Sequence, residues 1–327
     1  MKKPTDAGVR AVVCLLALVQ VAPLLAWVYG LGPFAVWYWA LSAPALVALI
    51  GVTGWIWRSG NHPTLAVALR VGAIGGLLGT IGYDLVRVPL SMAGVKVLAP
   101  IDSYGLLLTD AMSSSGVTGF AGWWFHAVNG VCFGIAFAAV AARRPIWWAV
   151  AWAMVLETAT IVSPFIDRYG LSDHPELIAV AYAAHLAYGV PLGLMCRDPE
   201  RTSRQLDEVA PHAAALALIA PLIAIGLWQR PWTVASAIED GRAVASGPSA
   251  VVRNDRFSPA WLRVASGACV KLRNDDEAAH VVDKLDVTLA PGVVTELCVT
   301  GDGAHRIKLD GAGRSGGFVL VDPEADA

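Results

Sequence analysis

Charge is scarce in this chain. Of its 327 residues only 15% are Asp, Glu, Lys or Arg, where an ordinary soluble domain carries roughly a quarter. So few charges exclude a wholly water-facing protein. The net charge of −2 excludes an electrostatic nucleic-acid binder. Cysteine is also sparse, with Cys14, Cys132, Cys196, Cys269 and Cys298 spread along the chain, which excludes a disulfide-dense scaffold. There is no phosphate loop, nucleophile elbow, Cys-x-x-Cys or His-x-x-x-His motif. Whether the chain is an enzyme therefore stays open.

What is present is apolar and bunched. Hydrophobic residues make up 56% of the chain and mean hydropathy is +0.57. About 20 apolar residues in a helix cross a bilayer core of ~30 Å. Seven such runs are expected near 9–30, 33–57, 64–90, 117–142, 146–164, 176–196 and 212–229. Many of the 13 tryptophans stand near run ends, among them Trp27, Trp37, Trp55, Trp57, Trp147, Trp148, Trp228 and Trp232, as in an interfacial aromatic belt. The first run follows Met1-Lys2-Lys3, as a signal peptide would; without a convincing small-residue cleavage site it reads as a retained helix.

Positive charge sets the orientation. Lys2, Lys3, Arg10, Arg58, Arg143, Arg144, Arg197, Arg201 and Arg204 fall on one side if the runs alternate. The opposite connections carry only Lys96 and Arg168. The positive-inside rule then puts the N-terminus in the cytoplasm of a cell (inner) membrane and everything after the seventh run outside. The expected division is a transmembrane helical domain over 1–230, a linker over 231–248 and an extracytoplasmic domain over 249–327. Within the long 91–116 connection, the apolar stretches 95–98 and 106–108 suit a segment lying on the membrane surface.

Ionisable groups inside lipid are costly and point to function. Four stand in the runs: Asp84, His126, Glu157 and His185. Counted from the outer ends at 1.5 Å per residue they lie ~8 Å, ~13–14 Å, ~10 Å and ~13–14 Å deep. They come from four consecutive helices and share a level in the outer half of the membrane. Asn129 and Tyr188 follow their histidines by one turn, on the same faces. Two imidazoles and two carboxylates suit a transition metal, and His126 with His185 suits a haem. The same set equally suits a proton relay, or a polar network that fixes packing with Asp84 paired to Arg87. In the outer 165–175 loop, Asp167, Arg168, Asp173 and His174, with Glu176 just beyond it, would either line an entrance or face solvent. Arg70 is placed to reach the cytoplasmic end, and glycines such as Gly72, Gly76, Gly130, Gly134, Gly189 and Gly193 allow close helix approach.

After Trp232 the pattern changes to short alternating segments separated by turn residues, which suits a small β-sandwich. Phe257-Ser258-Pro259, Val264-Ala265-Ser266-Gly267, Asn274-Asp275 with His280-Val281-Val282, Leu289-Ala290-Pro291-Gly292, and Gly316-Gly317 before a Val-rich strand follow in order. Residues ~250–322 thus resemble a cupredoxin (plastocyanin-like) domain. The resemblance matches His280 to the first copper-binding histidine. It matches Leu309 to the cysteine position, and 310–316 contain no Cys, His or Met. Type 1 copper, which needs a thiolate and two imidazoles, is not expected. His305 reads as packing or surface. The same resemblance places Cys269 and Cys298 on adjacent strands, where they form either a disulfide or two core thiols.

The expected fold is therefore an α-helical membrane bundle followed by a small all-β cupredoxin-like sandwich. The expected function is metal-handling or redox-related, centred on the outer-leaflet His/carboxylate site. A proton- or cation-coupled transporter and a non-catalytic subunit of a complex are the alternatives. The lipid bilayer is the expected partner, with other membrane or periplasmic proteins.

Overall fold

The computed structural model describes residues 6–92, 99–169, 171, 175–208, 249–254, 256–283, 285, 287–309 and 315–322. Five helices are long and apolar enough to cross a membrane. They are α1 (Asp6–Tyr29), α2 (Phe34–Ser59), α3 (Pro63–Met92), α5 (Gly116–Ala141) and α7 (Pro175–Cys196). Between them lie α4 (Ala99–Thr109) and α6 (Ile146–Ile161). The run expected over 146–164 is thus a 16-residue helix, about 24 Å long, which ends at the turn before Pro164. The run at 212–229, the linker, and stretch 95–98 lie outside the described residues.

Small residues set the bundle's packing. A Cβ at Gly72 would lie 2.3 Å from Ala138 Cβ, and one at Gly76 would lie 2.6 Å from the Gly130 carbonyl oxygen, so α3 and α5 meet backbone to backbone. One at Gly82 would lie 2.5 Å from the Ala187 oxygen on α7. The polar residues buried between α1 and α2 satisfy one another's backbone: Gln20 Nε2 donates to Ser42 O at 3.1 Å and Ser42 Oγ to Val19 O at 3.1 Å.

At one end of the bundle Arg10 donates to Ala139 O, the Arg143 N–H to Cys196 O, and Arg70 pairs with Asp207. The β-domain docks at the other end. Its nine strands are β1 (Ser249–Val252), β2 (Phe257–Ser258), β3 (Trp261–Ala265), β4 (Cys269–Asn274), β5 (His280–Val282), β6 (Val287–Leu289), β7 (Val294–Cys298), β8 (Gly303–Lys308) and β9 (Ser315–Asp322). They form sheets of order β2-β1-β4-β7, β3-β9-β8 and β5-β6. The pairs β1–β4 and β3–β9 are parallel. Val252, Phe257, Val270, Leu272 and Leu297 of the first sheet meet Leu262, Val264, Ile307, Val319 and Val321 of the second in one core. Cys269 and Cys298 pair across β4 and β7 and form a disulfide, with Cα atoms 4.2 Å apart.

The second sheet is buried on both faces. Val319 and Val321 point into the sandwich, while Trp261, Phe318 and Leu320 join a core with Trp27, Val28, Phe34, Tyr104, Leu107 and Phe125 of the bundle. A strand buried on both sides needs a continuous apolar run, and Phe318-Val319-Leu320-Val321 is one. The segment 112–114 extends this sheet at β8: the Arg306 N–H donates to Met112 O at 2.7 Å and the Ser114 N–H to Ala304 O at 2.8 Å. An edge otherwise open to pairing is thereby covered. Asp110 beside it accepts from Arg306 and, at 2.9 Å, from Lys308. The stretch 106–108 belongs to this seam too. Instead of lying on a membrane surface, Leu106, Leu107 and Leu108 are buried beneath the β-domain.

Candidate functional site: a cavity walled by two histidine–carboxylate pairs

Close packing of α3 against α5 and α7 carries Asp84 and Tyr83 in among the other helices. Asp84 lies beside His126 of α5, with Nε2 at 3.1 Å from both carboxylate oxygens. Glu157 of α6 lies beside His185 of α7, with Nδ1 at 3.1 Å from Oε2. The four side chains are 8–17% exposed, so water screens them little. They meet as two pairs, and Tyr83 links them: its ring centroid is 5.7 Å from that of His126 and 4.9 Å from that of His185. Arg87, one turn on, places its guanidinium 4.9 Å from the Tyr83 ring centroid. Among the described residues, no group of three or more His, Cys, Asp or Glu side chains is arranged to hold a metal ion.

Hydrogen bonds fix the protonation pattern of one ring. His185 Nδ1 is 2.9 Å from Ala181 O. A carbonyl only accepts, so Nδ1 carries the hydrogen and the lone pair of neutral His185 sits on Nε2. Of the supporting residues, Tyr188 donates to Gly130 O at 2.7 Å. Asn129 donates from Nδ2 to Phe125 O at 2.8 Å. The other side-chain atom of Asn129, Oδ1, is buried without a partner.

All of this borders one cavity of about 540 Å³. His126, Glu157, His185, Tyr83 and Arg87 line it, and so do Asn129 and Tyr188; Asp84 stands behind His126. Most of the remaining wall is aliphatic or aromatic. Leu18, Val21, Leu24 and Leu25 of α1 form one side. The end beneath the β-domain is closed by Tyr104 of α4, by Phe165 and Tyr169 of the 165–171 segment, and by Trp261 of the β-domain. Burial inside such a wall strengthens every polar contact made there.

The sequence pointed to the four ionisable residues, and to Arg87 as a partner for Asp84, but missed Tyr83 and Trp261. Tyr83 was legible as the neighbour of Asp84 on one helix. Trp261 had a fainter signal, an apolar pair Trp261-Leu262 with both residues buried. Of the charged loop residues, Glu176 is exposed and is not part of the cavity wall; the side chains of Asp167, Arg168, Asp173 and His174 lie outside the described residues.

Compared with protein-family models, with curated proteins and with solved structures, the chain matches none. Fold and site together describe a helical membrane-type bundle with a β-sandwich seated on one end and, beneath it, a largely apolar cavity with histidine and carboxylate side chains on its wall.

Proposed function

We propose that this integral membrane protein binds a lipid-soluble small molecule in the outer half of the bilayer and exchanges protons with it through the two histidine–carboxylate pairs. The observation that carries this reading is the shared cavity, with His126, Glu157 and His185 all on its wall. Asp84 accepts from His126 Nε2, which leaves the lone pair of neutral His126 on Nδ1. A ligand hydroxyl can pass its proton to His185 Nε2, and Glu157 beside it favours the imidazolium that forms. Such chemistry fits a redox-related or proton-coupled role. Metal handling is the weaker reading of the same residues, because they meet in twos. The same objection weakens a haem between His126 and His185, since Tyr83 packs against both imidazoles.

The test is the protonation state of the bound ligand. Decylhydroquinone added to the purified full chain in detergent should show the ultraviolet absorption of its anion near neutral pH, where the free molecule stays neutral, because its proton has moved to His185. Glu157→Gln and His185→Gln should suppress the signal. A bound ligand that stays neutral on the wild type overturns the proposal. Elemental analysis that finds a stoichiometric metal lost in His126→Ala would replace it with the metal reading.

The topology belongs to the same proposal. The β-domain docks where α5 begins, at Asp110 to Ser114, whereas α7 ends beside Arg143 at the opposite, arginine-rich end. This supports a seventh span over 212–229, an N-terminus in the cytoplasm and an extracytoplasmic β-domain. The parallel pairs β1–β4 and β3–β9 support a cupredoxin-like sandwich. Its copper-site positions favour a domain without copper. His280 is buried and bonded to Asp276 at 2.8 Å, and Leu309 is buried at the cysteine position.

A further inference from the structure

On one side the cavity reaches the outside of the bundle. Two residues of its wall are also exposed: Leu25 of α1, at 42%, and Ala159 of α6. Both stand in exposed apolar surroundings. Tyr29, one turn beyond Leu25, is 53% exposed. Val155 and Val162, which flank Ala159 on the same helix face, are 64% and 77% exposed. In a span, exposed apolar side chains face lipid. Leu25 and Ala159 thus belong both to the lipid-facing surface and to the cavity wall.

The packing of the helices agrees. Helix α1 packs against α2 and α5, and α6 packs mainly against α7. Glu157 turns toward His185 of α7. Leu156, Ala159 and Thr160, three and four residues apart, form the adjoining stripe of the cavity wall. The wall contributed by α1 is apolar throughout, with Leu18, Val21, Leu24 and Leu25. The β-domain reaches over both sides of this gap. Arg256 donates to Val28 O near the end of α1 at 3.3 Å, and Pro164, just past α6, borders a small cavity with Arg256 and Phe257. At 1.5 Å per residue, Leu25 lies ~6 Å from the end of α1 and Ala159 ~3 Å from the end of α6. The gap is therefore a window in the bundle's side, just below the β-domain.

We infer that the cavity opens sideways into the bilayer between α1 and α6, and that its ligand is a long-chain amphiphile. The compact head lies at the histidines and the chain leaves through the gap. A chamber of about 540 Å³ closed on every side would limit the size of the whole guest. One that opens into hydrocarbon limits only the head, because chain carbons beyond the gap stay among lipid tails. This rests on the cavity being the ligand site proposed above. It adds the side from which the ligand comes and the shape the site selects.

The experiment compares two probes with one head and different chains, decylhydroquinone and eicosylhydroquinone. The full chain is placed in lipid nanodiscs that carry either probe at the same low mole fraction. Probe retained in excess of empty nanodiscs is extracted and counted. The wild type should hold both about equally. Leu25→Trp and Ala159→Trp, which narrow the gap, should lower eicosylhydroquinone by about tenfold or more, since its chain then has no apolar exit. Decylhydroquinone should remain, which shows that the cavity persists in each variant. A wild type that holds the decyl probe and rejects the eicosyl one has a closed chamber, and the inference falls while the ligand site stands. Eicosylhydroquinone retained in both variants overturns the placing of the opening between α1 and α6. Loss of both probes from both variants puts these side chains in the chamber itself and overturns it too. A wild type that holds neither probe overturns the inference and the cavity reading together.

Discussion

The bundle and the β-domain bury their interiors by different rules. On the bundle many large apolar side chains point outward: Leu15, Trp39, Ile50 and Leu85 are 63–68% exposed, as lipid-facing residues should be. Phe34, Leu49, Ile56, Phe137 and Leu192 are buried in it, but where α3 meets α5 the interior is glycine and alanine, with backbone meeting backbone. In the β-domain most large apolar residues point inward, and the strands alternate: Ala250 and Val252 of β1 are buried, as are Val270, Leu272 and Asn274 of β4, and the residues between them are not. The difference is one of solvent. In water, burying apolar area drives packing; in lipid that gain vanishes, and close contact with polar satisfaction replaces it.

The sharpest break of this comparison is one side chain added in each half. Gly76→Leu must push α3 off α5, because the Gly130 carbonyl oxygen lies 2.6 Å from where its Cβ would stand. The expected cost is about 3 kcal/mol or more, seen as loss of a monodisperse folded peak in detergent. Gly267 in the β-domain, at φ +78° with open space around it, should accept Ala for only about 1–2 kcal/mol of backbone strain. Next in size is the disulfide. Cys269 and Cys298 are 29 residues apart, so replacing both with Ala should cost the β-domain about 3 kcal/mol. Calorimetry should show that loss in the β-domain's transition while the bundle's stays in place.

How much of this was legible follows the same divide. The apolar runs at 9–30, 33–57, 64–90, 117–142 and 176–196 announced their helices, because lipid demands length and hydrophobicity from each one alone. The six longer strands were legible from alternation, whereas β2, β5 and β6, two or three residues each, are too short to show a period. Shared depth picked out Asp84, His126, Glu157 and His185. It could not say which would pair, because rotation about a helix axis is set by small-residue contacts between helices. The seam was the least legible part. Helix α4, the added strand at 112–114 and Trp261 take their places from contacts between segments roughly 150–200 residues apart, beyond any local pattern.

That seam gives the third prediction. Burial would push the Asp110 carboxyl up, but the hydrogen bonds from Lys308 and Arg306 prevail and hold it below its usual value. A lowered carboxylate stabilises docking at pH above its ordinary value near 4 and loses that effect as pH falls through its folded value. Asp110→Asn should loosen the β-domain by about 1–2 kcal/mol at pH 7, discounted because Asp110 itself is 62% exposed. A Ser113→Cys/His305→Cys cross-link across the added strand reports the change: slower closure in Asp110→Asn confirms it, and equal closure refutes it.

The smallest effect separates the seam from both halves. Asp102 of α4 has a buried oxygen, Oδ2, with no partner. Burial raises its carboxyl from 3.8 to about 7. Between those values the folded chain holds a proton that the unfolded chain has lost, so stability should fall as pH rises from about 4 to 7. Asp102→Asn removes the titration and should flatten this slope. The gain at pH 8 should be only about 1 kcal/mol, because an amide in the same place still leaves a buried polar atom unsatisfied. Thermal unfolding of wild type and variant at pH 5 and pH 8 decides it. A wild-type midpoint that rises over this range by more than the variant's would show that Asp102 is held charged by a partner at the seam.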